Sequence, residues 1–312
     1  MKFLNIFITL IIGGVFILSD LACNNSSDKK SAFESETPVS GKISIALDKA
    51  FSQIFENEKL IFENNYRNAS INLIEETESK ALQDLLDGKV RIAILTHKLS
   101  NDEINYLTKK DLTPIHFLSL YDAVVMIINI NNKDSLLTQK QIEQIFKGEI
   151  TEWSQIDAKN KSGAINIIFD ESGSSAARYF KEKFSIREFP ENFFALKNKK
   201  ELVEYVNTHI NAIGVAGYSL LTDEMDSLEK KYAAIAVTDS AGNFHLPTSK
   251  NIRWGFYPYR REVYIACAEG YPGLGTGFAN FVMSDVGQTI IHRQGFVPAK
   301  QLLRLIELKK EY

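Results

Sequence analysis

The chain has 312 residues, 45% of them hydrophobic and 24% charged, a globular composition with apolar material for one large or two medium domains. Its formal net charge of −3 excludes a general nucleic-acid binder, which carries a basic excess. No basic cluster interleaved with aromatics reverses that reading.

The first stretch, "MKFLNIFITLIIGGVFILSDLAC", places Lys2 before an apolar run from Phe3 to Leu18 that is too short to span a bilayer. It reads as a signal peptide over residues 1–22. Cys23 follows Leu21-Ala22 directly and is the expected lipidation site, with Asp20 where bacterial lipoprotein sites usually carry leucine. A plain signal peptide cut nearby, or an uncleaved anchor, is the alternative. Residues 23–41 are polar and read as a tether, so ordered structure is expected from about Lys42. The expected location is outside the cytoplasm, on a bacterial membrane. With Cys23 lipidated, Cys267 in "VYIACA" has no disulfide partner and reads as a buried packing residue. The five histidines are scattered, and no His/Cys cluster has metal-ligand spacing, so neither metal nor cofactor is expected.

From Lys42 onward, short β-like runs alternate with helical periods. "ISIAL" (43–47), "SINLIE" (70–75) and "VRIAIL" (90–95) predict strands. Between them, Phe51, Ile54, Phe55, Phe62 and Tyr66 form one helical stripe, and Ala81, Leu82, Leu85 and Leu86 mark a shorter helix. This order predicts an α/β fold with mainly parallel sheets flanked by helices. "AVVMIIN" (123–129) predicts a fully buried strand, and "LTQKQIEQIF" (137–146) a helix stopped by Gly148. "INIIF" (165–169), "AIGVAG" (212–217), "YAAIAV" (232–237) and "EVYIACA" (262–268) complete the strands, and residues 275–291 predict two closely spaced helices.

In such sheets ligands bind where strands end and helices begin. "FDESGSSAARYF" is the most suggestive such junction: Asp170, then Ser172, Gly173, Ser174 and Ser175 at a helix entrance, with Arg178 one turn in. Unpaired N–H groups, hydroxyls and a glycine suit an anion. Ordinary capping by Asp170 or Ser172 is the bland reading. Thr96 and His97 after the third strand, and Asp48 and Lys49 after the first, are further candidates; taken alone, each reads first as helix entry, capping or solvation. Asp122, abutting a buried strand, needs a partner, either a salt bridge or a ligand. No G-x-S-x-G elbow is present, and no catalytic residue or enzyme activity is expected.

Several segments together resemble the phosphate-specific substrate-binding proteins of ABC transporters, in their lipoprotein branch. They are "LLTQKQIEQIFKGEITEWSQI" (136–156), "NAIGVAGYSLL" (211–221), "YPYRREVYI" (257–265) and "FVMSDVGQTIIHRQGFVPA" (281–299), in the family's order. The resemblance implies two α/β lobes joined by crossing hinge strands: residues 42–125 plus 250–312 as lobe 1 and 126–249 as lobe 2. It implies a monomer that holds phosphate or a similar oxyanion between the lobes and delivers it to a membrane permease. Ser172, Gly173 and Ser174 fall on the family's Ser-Gly-Thr, and Asp170 on an acid two residues before. The family's arginine a few residues earlier is Ile168 here, and its aspartate after the third strand is Thr96. Those departures leave open a sensor or surface protein of the same fold that binds another small solute or a protein partner. A serine hydrolase using Ser172 or Ser174 is a third alternative, with no base placed by motif.

Overall fold

A computed structural model describes residues 36–170, 174–221 and 231–301. Cys23, the signal segment, and Ser172 and Gly173 lie outside the described residues.

In chain order the elements are β1 (Gly41–Asp48), α1 (Ser52–Asn65), β2 (Ala69–Glu76), α2 (Glu78–Asp87), β3 (Ile92–Leu95), α3 (Asn101–Thr108), β4 (Ile115–Asn129), β5 (Leu136–Leu137) and α4 (Gln139–Phe146). There follow β6 (Asn166–Phe169), α5 (Ser175–Lys183), β7 (Phe193–Ala195), α6 (Lys199–Thr208), β8 (Ala212–Gly217), β9 (Tyr232–Ala234), β10 (Ala236–Thr238) and β11 (Phe244–His245). The chain closes with α7 (Ser249–Arg253), β12 (Arg260–Cys267), α8 (Leu274–Met283), α9 (Asp285–Arg293) and β13 (Val297–Pro298).

The main sheet runs β2-β1-β3-β12-β4-β8-β6-β7. β1 is parallel to β2 and β3, while β12 is antiparallel to β3 and β4. β4 is the crossing strand. Its first half pairs with β12 and its second half with β8 and β9. The expected run 123–129 is thus only the far half of a 15-residue strand. The expected strand 232–237 is two strands: β9 joins the main sheet, and β10 leaves it at Ile235 to pair with β5 and β11. A buried apolar run does not show in sequence where the chain changes sheets.

The first lobe is packed on both faces of its sheet. Ile43, Ile45 and Leu47 of β1 alternate toward α1, α8 and α9, while Ala46 faces α2 and α3. Cys267 is buried among the former set, where burial pushes its thiol pKa up. Glu58 of α1 is also fully buried, and neither carboxylate oxygen finds a hydrogen-bond partner. Burial alone raises its pKa to about 9. The second lobe packs β4, β6 and β8 against α4, α5 and α6 around Trp153 and a phenylalanine cluster. Phe146 and Phe180 lie 4.2 Å apart there, and Trp153 Nε1 donates to Asn211 O at 3.0 Å. Ile252, Tyr257 and Tyr259 belong to this second core.

At the base of the first lobe, Glu36 accepts from Arg91 Nη2 through both oxygens, at 2.8 and 2.9 Å. It also accepts from Leu274 N, the first residue of α8, at 3.1 Å. Glu269 takes neighbouring donors of the same helix start, Thr276 N at 2.8 Å and Thr276 Oγ1 at 2.7 Å. Gly277 lets this segment pack: a Cβ there would sit 1.7 Å from Pro38 O.

Candidate functional site

The ends of β1, β6 and β8 converge on a cleft of about 560 Å³. Lys49 and Gln53 line it from the first lobe, and Asp170, Ser174 and Ser175 from the second. Lys197, Lys199 and Lys200 close one side at the start of α6.

Helix α5 begins at Ser175, later than the sequence suggests. Its N-cap is Ser174, whose Oγ accepts from Ala177 N at 3.2 Å. Capping therefore falls to Ser174, not to Asp170 or Ser172, the candidates of the bland reading. Extended backbone at Ser174 (φ −55°, ψ 150°) turns the chain from β6 into the helix. No acid occupies the first turn, so the helix start keeps its positive end.

Ser175 is engaged from behind. Its Oγ accepts from Arg261 Nη2 at 3.0 Å, which leaves its own O–H to donate. Arg261 sits at the start of β12, buried, directly opposite Asp122 of β4 in the ladder. Arg261 Nε donates to Asp122 Oδ2 at 2.6 Å, and Nη2 lies equally close. The other Asp122 oxygen accepts from Tyr218 N at 3.2 Å, just after β8. Burial acts to lower the Arg261 pKa, but Asp122 offsets it, with Glu78 and Asp48 adding, and the pKa ends above its ordinary value. A permanent cation thus stands in the hinge, one hydroxyl behind the α5 entrance.

Arg178 lies one turn into α5 and donates across the lobes to Asp48 Oδ2. Asp48 also caps the turn after β1 through Ala50 N at 3.0 Å. Asp48, Arg178, Lys49, Asp170, Ser174 and Ser175 are therefore brought together. Thr96 and His97 are not. Thr96 donates through N and Oγ1 to the Glu78 carboxylate, with Oγ1 at 2.8 and 2.9 Å, and His97 is exposed with Nδ1 3.2 Å from Lys98 O. Thr96 holds a carboxylate in place instead of offering its hydroxyl to the cleft.

Arg261, Gln53 and the three lysines were not legible as residues of this cleft. One signal existed for Arg261: opposite charges, Asp122 and Arg261, each stand at the edge of an apolar run.

A family model described as a PBP superfamily domain matches residues 32–286. The phosphate-binding protein PstS of Borreliella burgdorferi is 25% identical over 267 residues, spanning 83% of this chain and 90% of its own length. PstS of Staphylococcus saprophyticus is 23% identical over 93% of this chain and 88% of its own. An ABC-type phosphate transport receptor from Vibrio cholerae superposes with a TM-score of 0.69 at 18% identity, covering 82% of this chain and 99% of that one; the likeness is one of fold.

Proposed function

The chain belongs to the PBP superfamily, and from that premise we propose that it is an extracytoplasmic solute-binding protein that captures an inorganic oxyanion, phosphate foremost, for an ABC transporter. The observation that carries this reading is the Arg261–Ser175 contact at the entrance of α5. It supplies, from the returning strand, the guanidinium that Ile168 cannot supply from the strand before the motif. The anion would take the Ser175 hydroxyl and the α5 N–H groups, with Lys49 approaching from the opposite lobe. The lobes meet there, as the Asp48–Arg178 pair across them supports. We divide the chain as 42–125 with the return segment against 126–249. Ile252, Tyr257 and Tyr259 in the second core favour a return near Arg260, later than residue 250.

Calorimetry with phosphate and sulfate tests the reading. Heat with phosphate is expected. Ser175→Ala should weaken phosphate binding by about 10-fold or more, as loss of a hydrogen bond to a charged group implies. No heat with any oxyanion would sink the proposal, and an unchanged Ser175→Ala affinity would remove the site.

We also propose that Cys23 is lipidated and holds the protein at the membrane, on the strength of the leader sequence. Cys23→Ser is expected to move the protein from the membrane fraction to the soluble one. Unchanged partitioning of that variant counts against the anchor.

A further inference from the structure

We propose that the face formed by β11, α7 and the loop after it rests on an anionic lipid surface, with Trp254 and Phe256 entering the interface and Lys250 and Arg253 meeting the headgroups. This goes beyond the oxyanion reading and does not depend on it, since none of these residues lines the cleft.

Exposure marks the face. Trp254 is the most exposed large apolar side chain among the described residues, at 61%. Phe244, Leu246 and Phe256 stand in the same stretch, at 45%, 48% and 46%. Single exposed apolar side chains need no explanation, but four together, three of them aromatic, mark a contact surface. The display is held in place. Asn251 of α7 ties both ends of it: Nδ2 donates to Leu246 O at 2.9 Å, and its carbonyl accepts from Phe256 N at 2.9 Å and Tyr257 N at 3.1 Å. Phe256 stacks on His245 with ring centroids 5.5 Å apart, and Ile252 and Tyr257 fasten the loop into the second core. A pre-ordered surface loses little freedom on binding.

Charge names the partner. The chain has 39 acids in 312 residues, yet none between Asp239 and Glu262, an interval that carries Lys250, Arg253, Arg260 and Arg261. The two flanking acids are taken up, Asp239 by His245 Nε2 at 2.9 Å and Glu262 by Arg260. Lys250 lies one turn before Trp254, whose N donates to Lys250 O at 3.0 Å, so the two share a side of α7. Tryptophan beside lysine and arginine suits a membrane–water boundary, where the ring sits among headgroups and the cations meet anionic lipid. A second copy docking face to face would set like cations against each other. An anchor at Cys23 would add proximity, because about a dozen residues before Glu36 span at most about 40 Å.

The chain carries its own probe. It has two tryptophans, and Trp153 is fully buried with Nε1 bonded to Asn211 O, so a change in emission reports Trp254. The chain from Asn24 onward, without leader or acyl group, is titrated with phosphatidylglycerol vesicles and with phosphatidylcholine vesicles. A blue shift is expected with the first and not with the second. In cosedimentation with phosphatidylglycerol vesicles, Lys250→Gln/Arg253→Gln should weaken binding by about 10-fold or more. Trp254→Ser/Phe256→Ser should abolish it, and both variants should keep the native melting curve and phosphate affinity. No shift with phosphatidylglycerol overturns the inference, as does equal binding to both vesicle types. A shift that grows with protein concentration in the absence of vesicles gives the face to a second copy and overturns it too. Absence of phosphate binding with vesicle binding intact sinks the oxyanion reading alone.

Discussion

Arg261→Met is expected to abolish oxyanion binding and to lower the melting temperature on the order of 10 °C. The stability loss follows from leaving Asp122, a buried carboxylate, without its cation, which costs about 3–5 kcal/mol. The binding loss follows from removing the donor behind Ser175. One further variant separates the two effects. Arg261→Met with Asp122→Leu replaces the buried pair by apolar side chains, so much of the lost stability should return while binding stays absent. Thermal melts and calorimetry on the single and double variants read this directly. If the double variant binds phosphate at native affinity, the pair is structural and the anion site lies elsewhere.

The second large effect concerns Glu58 and pH. Its carboxyl is held neutral in the fold, with a pKa of about 9 against 4.5 ordinarily. Between those values the folded state binds more protons than the unfolded one, so stability falls as pH rises. The stability is fully present below about pH 4.5 and is lost progressively toward pH 9. Glu58→Met keeps the volume and removes the titration. At pH 8 it is expected to stabilise the protein on the order of several kcal/mol, with the gain vanishing near pH 4. Urea denaturation of both proteins across that pH range isolates the residue, since every other carboxylate is common to both. Parallel stability curves would show that Glu58 does not titrate in this way.

The fold was largely legible because its local signals agree. Ile43, Ile45 and Leu47 alternate, and Gly148 stands just past α4 in the left-handed region as expected, whereas α3, with its Ser100–Glu103 capping box, was not among the predicted elements. The candidate cleft was legible only where its residues are local in sequence, as at Asp48 with Lys49 and at Ser174, Ser175 and Arg178. Arg261 becomes a site residue through its ladder register with Asp122, 139 positions away, and no pattern within either strand encodes that pairing. The partner of Thr96 was hidden for a related reason: its hydroxyl donates to Glu78 at the start of a neighbouring helix. Glu58 did leave a trace. It falls between Ile54 and Phe62 at helical spacing, inside the apolar stripe itself.

The Glu36 clamp has a mechanical consequence. The segment it fixes feeds directly into β1, whose eight residues run about 25 Å to Asp48 at the cleft. Glu36 therefore lies at the pole of the first lobe opposite the mouth of the cleft. A pull applied at Glu36 would first be borne by Arg91 and the opening turn of α8. Load that passes the clamp meets β1 bonded in parallel to β2 along its full length and to β3 beyond, so it must shear whole ladders at once. The cleft is thereby insulated from a pull applied at Glu36.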